Sequence, residues 1–539
     1  MPAPYVKSVL EDQSTRISTV NSFNVGVAID AKKGPYVPTL ITNQTQFLTK
    51  YTPNGRIEIG WDEAYWHVYM LLRDTGRVWV VRTDNTGALY GGCVIKLASS
   101  QNENYSLTAG VSTDPAAGDT VGDGMYTGSF IAQEDDAILI YGLSKGKFSD
   151  NITVRVIPYE GNEDLVKLEG AFLLYVYNNG VLAETHTCST NPSLKNGYGV
   201  NCFVETVLEG SNYVRAVCFV EEDDDGNFEN VKMQDTQLQL RGGNDGDAAT
   251  SGQYIQALKK FNNVNDVPLQ LLIDGGQTIQ TVHSAIYDVC TARGETTLGI
   301  LSTPYTNKTS TEAIADFVAY KKESGLNNYL TALYGPHCKI YDEFNDRYVY
   351  VAASCFVAGA IAKTVRDYGW HWPAAGYNRG ILNVLDVATP LAPTEVDDMS
   401  DNQVNTLVKD PDAGIVIYDQ LTTQVKASDL QEVSISGYIN CYLRPALKEA
   451  LKYYLFELND EETRTAITTL IDTFMKGEKA NRAVYDYKVV CDETNNLDTD
   501  IENNKLNAWL YIKPTKPAKF IEQRVIVTPY SVDLESISA

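Results

Sequence analysis

Apolar and polar positions along this chain follow two rhythms that divide it into regions. From residue 242 onward, short apolar runs at 269–273, 297–301 and 329–334 read as buried strands. Between them, 254–261, 279–291 and 312–323 carry apolar residues at helical spacing. Strands separated by helices imply a parallel sheet with right-handed crossovers. The stretch 349–363, containing VAASCFVAGAIAK, is small and apolar all round and predicts a buried helix. Upstream, 23–29, 40–41 and 78–81 read as strands. Lys33-Gly34-Pro35 reads as a turn, Asn43 as the cap of a helix through Phe47 and Leu48, and 61–72 as a helix ending before Gly76. From about 96 to 238 the pattern turns to strands, at 137–141, 152–157, 172–177, 200–208 and 213–219, punctuated by glycine and Asn/Asp clusters. A β-sandwich inserted into an α/β domain is the simplest account.

Towards the C-terminus the rhythm changes again. The segments 415–418 and 424–426 read as a strand and a turn leading out of the α/β region, after a Pro-, Asp- and Thr-rich crossing segment at 386–404. Pro445 sits near the first turn of a helix carrying Leu447, Leu451 and Leu455, or kinks that helix if it begins at Tyr438. Asn459 and Glu462 have capping-box spacing ahead of Ile467, Leu470, Ile471 and Phe474, a stripe that Gly477 stops. Tyr485, Tyr487, Val489 and Cys491 then alternate with Asp486, Lys488 and Val490. Asn495-Asn496 supplies a turn, and 506–512 and 520–528 read as further strands. At the other end, 5–10 has partial strand character.

At 539 residues the chain is too long for one core, so several domains are expected. No apolar run approaches the ~20 residues needed to cross a bilayer, which excludes a helical membrane anchor. Met-Pro-Ala-Pro-Tyr-Val-Lys lacks the basic and apolar regions of a signal peptide, so synthesis and folding in the cytoplasm are expected. The nine cysteines are scattered, without Cys-x-x-Cys, and read as buried reduced thiols. A formal charge of -25 argues against a nucleic-acid surface and against anionic membranes. It also means that packed copies repel one another and need directional contacts to stay together.

Candidate chemistry is sparse. Gly142-Leu143-Ser144-Lys145-Gly146 has the spacing of a nucleophile elbow, but a strand follows where the elbow needs a helix, so a hairpin-type loop is the better reading. Asp274 ends a strand and His283 falls in a helix, yet no serine context completes a triad, and Asp274-Gly275-Gly276 reads as a turn. The acidic run 221–225 before Gly226 lacks the twelfth-position Glu of a calcium loop, Lys232 standing there instead. His371 between two tryptophans, and His337 with Cys338 after Gly335-Pro336, build no zinc site. The Gly242-Gly243-Asn244-Asp245-Gly246 loop lacks the Lys-Ser/Thr of a phosphate cradle, and Asp245 and Asp247 repel phosphate. No metal and no cofactor are expected.

One resemblance spans most of the chain. The run AVYDYKVVCDETNN, followed by IENNKLNAWLYIKPTKPAKFIEQRVIVTP, is similar to the C-terminal domain of contractile phage tail sheath proteins. PYVKSVLEDQSTRI, GPYVPTLITNQTQFLTKY, LRGGNDGD, HWPAAGYNRG and LNVLDVATPLAPTEVDDMSDNQVNTLV occur in that family's order. The resemblance implies a multidomain α/β and β protein: a subtilisin-like, doubly wound α/β middle domain with an inserted β-sandwich, and an α+β C-terminal domain extended by terminal arms. Its boundaries here are an N-terminal arm at 1–21, the middle domain at 22–95 and 239–426, an outward-facing insertion at 96–238, a tube-facing C-terminal domain at 427–512, and a linker with an exchanged strand at 513–539.

The family's working parts carry over residue by residue. Tyr5, Val6 and Val9 in one arm and Ile521, Val525 and Val527 in the other are expected to add strands to neighbouring copies, with Pro514 and Pro517 in the extended linker. Arg464, Lys476, Lys479 and Arg482 are the candidate contact with an inner tube, although the same group also reads as a solvated helix face. The resemblance implies a non-enzymatic subunit of stacked hexameric rings in a virion tail, assembled in the host cytoplasm. Its partners would be its own copies, a tail tube protein, and baseplate and tail terminator proteins. Sheaths of phage-derived injection devices, such as a tailocin or a secretion system, share that pattern. A serine hydrolase using Ser144 and a capsid-like shell are the readings from other classes.

Overall fold

Val25–Ile29 is apolar and buried at every position, the signature of a strand enclosed on both faces. It pairs in parallel with Val78–Arg82 on one side and Leu271–Ile273 on the other. The computed structural model describes residues 23–97, 103–107, 111, 135–159, 170–220, 233–525 and 527. In it these strands belong to a nine-stranded sheet, with Val78–Arg82 next to one edge. Leu298–Ser302, Thr331–Gly335 and Val404–Asp410 extend the parallel part. Thr39–Ile41 closes one edge and Gly414–Ile417 with Ile381–Leu382 the other, all antiparallel. The helices Ala64–Asp74 and Ser354–Tyr368 pack as a pair, as do Ser251–Lys259 and Gln280–Ala292. Capping boxes at Thr250/Gln253 and Thr309/Glu312 start two of the helices on this scaffold.

The β-rich region consists of two four-stranded antiparallel sheets. One orders Val181–Ser189, Ala171–Asn178, Ile152–Pro158 and Thr236–Gln239; the other orders Val214–Cys218, Asp136–Gly142, Gly92–Lys96 and Tyr105–Ser106. Ile152–Pro158 alternates buried and half-buried positions, as a strand with one covered face must. Ile138 and Ile140 of one sheet and Val154, Val156, Leu174 and Val176 of the other share a single apolar cluster.

The main core runs without interruption from Val25 through the sheet to Ile467, Ile471 and Met475 of the long C-terminal helix Glu461–Ala480. Between them lies a continuous helical segment, Val433–Gly437, then a π-helical Tyr438–Leu443, then Arg444–Leu451. Pro445 thus stands in the first turn of Arg444–Leu451, as the first of the two readings expected, where that helix joins the π-helical turn. A proline ring does not fit beneath the carbonyl of Cys441 in a regular turn, and a widened turn lets the helix continue.

Several sequence expectations need correction. The 200–208 stretch, expected as a strand, instead contains the short helix Val204–Leu208, where Glu205 Oε1 accepts from the Cys218 amide at 2.8 Å. The apolar run 349–363 divides into the strand Arg347–Val351 and the helix Ser354–Tyr368, because an unbroken apolar run hides the boundary from any periodicity. The long C-terminal helix is capped by Asp460, which accepts from Thr463 N at 2.8 Å, and not by Asn459. Gly477 does not stop that helix: it runs to Ala480 and ends where Arg482 turns to a φ of 66°. The strand placed at 506–512 is Trp509–Pro514, and residues 520–525 and 527 belong to no strand. The 5–10 strand, the first arm with Tyr5, Val6 and Val9, and the acidic run 221–225 with Gly226 and Lys232 lie outside the described residues.

Candidate assembly site

Two constellations that suggested catalysis resolve into structural bonds. Ser144 follows the strand Asp136–Gly142, but a 3-10 turn, Lys147–Asn151, and then another strand come after it. The serine is 1% exposed, and its Oγ accepts from Gly34 N at 3.2 Å, joining the β-rich region to the α/β sheet. Asp274 does meet His283, with His283 Nε2 at 3.3 Å from Oδ2, and Tyr320 lies 2.8 Å from the other ring nitrogen. The serine that sequence reasoning missed is Ser354, at the start of the helix over the sheet. Its Oγ donates to Asp274 Oδ1 at 2.6 Å and lies 3.3 Å from His67 Nδ1, while Ser302 N donates to Asp274 Oδ2 at 2.5 Å.

Burial alone would raise the Asp274 pKa. His283, His67 and Ser354 outweigh it and hold the carboxyl well below the usual range. All five groups, Asp274, His283, His67, Ser354 and Ser302, are buried, so no substrate reaches the hydroxyl. The cluster locks helices to the end of a strand. No short motif signals it, since Ser354 stands 80 residues from Asp274 and 287 from His67. Among the described residues no group of His, Cys, Asp and Glu side chains is placed to hold a metal ion. All nine cysteines are unpaired, and only Cys218 is not fully buried.

The C-terminal unit has a different character. Val484–Val490 pairs antiparallel with Trp509–Pro514 as a two-stranded sheet. The loop between them is knit by two buried asparagines: Asn495 Nδ2 donates to the carbonyls of Val490 and Asn507, and Asn496 Oδ1 accepts from Asn507 N at 2.6 Å. Tyr487, Val489, Leu510 and Ile512 pack against the main core, and Tyr487 donates to Asp472 Oδ1 of the long helix at 2.7 Å. Tyr485, Trp509 and Tyr511 face outward and are exposed. Both outer edges of this ribbon lack a neighbouring strand among the described residues, and two strands alone are marginal in water.

After Pro514 the chain stays extended. Lys516 pairs with Asp429 at 2.6 Å, and Lys519 with Asp419 at 3.1 Å and Glu432 at 2.9 Å, with half-buried Pro517 between. Beyond Lys519 the residues are exposed: Phe520 95%, Ile521 86%, Val525 76% and Val527 91%. Ile521, Val525 and Val527 sit at even spacing and would lie on one face of a strand.

The four basic residues do not form one free patch. Arg464 is 8% exposed, turned into the unit, and donates to Asn459 Oδ1 at 3.2 Å. Lys476 pairs with Asp472 at 2.7 Å and Lys479 with Asp486 at 2.9 Å, while Arg482 lies over the Trp372 ring at 5.5 Å. Arg464 stands three and seven residues before Ile467 and Ile471, in phase with the buried face of the helix, whereas Lys476 is on the opposite face.

Comparison with known proteins decides what carries this ribbon. Residues 247–423 match the phage tail sheath protein central domain and 427–528 the phage tail sheath C-terminal domain, together more than half of the chain. The chain belongs to the phage tail sheath protein family. The tail sheath protein of Enterobacteria phage T4 is 27% identical over 392 residues, covering 69% of this sheath protein and 58% of the phage T4 protein. That of Vibrio phage KVP40 is 27% identical over 392 residues, covering 68% and 56%. The sheath chain thus spans less than two thirds of the length of these relatives. A sheath tail protein from Listeria innocua, 12% identical, superposes with a TM-score of 0.55 over 93% of this chain and 96% of its own, a likeness of fold. Tail sheath proteins are structural, and this sheath protein is not an enzyme.

Proposed function

We propose that copies of this sheath protein polymerise as stacked hexameric rings around an inner tail tube, and that the polymer shortens to drive the tube through a host envelope for genome delivery. The observation that supports this reading is one ribbon with two open edges, followed in the same chain by an exposed apolar segment spaced to become a strand. Strand addition is a low-cost link, because main-chain hydrogen bonds supply the affinity. Ile521, Val525 and Val527 of one copy, with Tyr5, Val6 and Val9 of another, complete the ribbon of a third. Several such bonds at a net ~1 kcal/mol each hold copies together while larger faces slide and repack.

In this reading the domains follow the boundaries given above. The nine-stranded unit at 22–95 and 239–426 is a subtilisin-like middle domain, the paired sheets at 96–238 are an outward β-sandwich, and 427–512 faces the tube. Lys476 and Lys479, both exposed, are the tube contacts. Baseplate and tail terminator proteins bound the polymer in a virion tail assembled in the host cytoplasm. The test is deletion of 513–539 in the full chain, followed by electron microscopy and sedimentation. A folded monomer that no longer forms tubes is expected; tubes of normal length and order from the truncated chain would overturn the proposal.

A further inference from the structure

The carboxyl edge of an open parallel sheet is where such folds bind ligands, since loops and helix ends converge there. In this protein three cations meet one aromatic ring at that edge, beside Asp30 and Asp62, whose carboxylate oxygens already accept from Asn85, Ala249, Ala64, Tyr254 and the Asp30 amide. Arg82 ends the strand Val78–Arg82, in register with Ile29 at the end of its parallel neighbour. It is 2% exposed, and among the described residues its Nη1 has no hydrogen-bond partner. The group facing its guanidinium is the ring of Tyr36, 5.0 Å from Cζ to centroid.

Two more cations meet the same ring. Lys145 Nζ, from the β-rich region, and Lys260 Nζ, from the end of the helix Ser251–Lys259, each lie 5.8 Å from the Tyr36 centroid. Lys145 donates to Asp84 Oδ1 at 2.8 Å, and Lys260 donates to the Tyr36 carbonyl at 2.8 Å. Of the three cations, Lys145 is the one with an ion pair to a carboxylate among the described residues, in a chain with 69 acidic and 44 basic residues. Burial and the neighbouring Lys145 both lower the Lys260 pKa, against the pull of Asp84. A guanidinium taken out of water without an anion is costly, and attraction to an aromatic face offsets only part of that.

We infer that Arg82, Lys145 and Lys260 form a receptor for one oxyanion, of phosphate or carboxylate chemistry, where the β-rich region meets the α/β sheet. An oxyanion offers several acceptor oxygens at once, which suits a planar fork and two ammonium groups converging from three elements. Lys260 is exposed at the rim, Lys145 is mostly covered, and Arg82 forms the floor. Occupancy would fasten together three segments far apart in sequence. The inference does not rest on the polymer reading, because the receptor is complete within one chain.

Inorganic phosphate is the probe. Melting of the full chain is followed in phosphate and in chloride at equal ionic strength, with 31P line width as the direct readout. A saturable rise in melting temperature and broadening of the phosphate line are expected for the wild type. Both should be lost in the Lys145→Ala/Lys260→Ala variant, which keeps the buried Arg82 and has a circular dichroism spectrum that reports its fold. Sedimentation separates the sources: phosphate that disperses polymers points to an acidic side chain of a second copy as the natural occupant, and unchanged polymer mass points to a free anion. The inference is wrong if the wild type melts alike in both salts, or if the double variant keeps the full phosphate response.

Discussion

The hydroxyl of Tyr254 donates to Asp62 Oδ2 across 2.6 Å, although 192 residues separate them. Asp62 also accepts from Asp30 N at 2.8 Å and sits at the start of the helix Ala64–Asp74, so one carboxyl ties together three segments. Burial pushes its pKa up to about 6, against the pull of the Tyr254 and Asp30 hydrogen bonds. The folded chain therefore holds this proton more tightly than the unfolded one. That stabilisation is complete below the ordinary aspartate pKa and is lost as pH rises through about 6. Relative to Asp62→Asn, the wild type should gain about 2 kcal/mol on acidification from pH 7.5 to 4.5. Denaturant unfolding of both chains across that range measures it, and parallel curves would refute the linkage.

Asp274 should behave with the opposite sign. Its carboxyl is held below the usual range, so its contribution is present above the ordinary aspartate pKa and vanishes as pH falls further. Asp274→Asn is expected to cost about 3 kcal/mol at pH 7, because Ser302 N, Ser354 and His283 lose a charged acceptor. Ser354→Ala should cost less, about 1–2 kcal/mol. A smaller gap between wild type and Asp274→Asn at pH 3 than at pH 7 is the diagnostic outcome.

Arg293 is buried and donates to the carbonyls of Phe261 and Val267 and to Thr297 Oγ1. Its pKa is lowered to about 10 by burial. Replacement by methionine keeps much of the volume and leaves two carbonyls without donors. A loss of about 2–4 kcal/mol is expected in chemical denaturation, with Arg293→Lys recovering only part of it.

The cap of the long C-terminal helix gives a local test. Asp460→Ala should destabilise it, and Asp460→Asn or Asp460→Ser should restore most of the loss. Hydrogen exchange of the Thr463 and Arg464 amides, whose acceptors are Asp460 Oδ1 and the Asp460 carbonyl, localises the effect.

The alternating α/β region was legible because its strands are short apolar runs and the helices between them carry apolar residues at helical spacing. The 200–208 stretch misled because its β-branched residues favour extended chain, while the short helix is fixed by Glu205 meeting the distant Cys218. Val181–Ser189 escaped notice because its first residues, Val181 and Leu182, are exposed and its pattern is largely polar. Pro514 read as linker, yet it ends a strand opposite Val484, a place at a ribbon's edge where a missing N–H does no harm. Of the candidate site, the exposed apolar end was readable from composition. The partners of Lys479 and Arg482 were not, because Asp486 and Trp372 are brought to them by the fold, whereas Lys476 with Asp472 is a local pair four residues apart on one helix.

The uninterrupted core from Val25 to Met475 makes the α/β sheet and the C-terminal helix one stiff body, with Trp370 wedged where a Cβ on Gly437 would lie 2.6 Å from its ring. Force applied at the ribbon therefore reaches the sheet without bending the subunit. The stretch after Thr515 is held to that body by Lys516 and Lys519, clasps that salt can loosen.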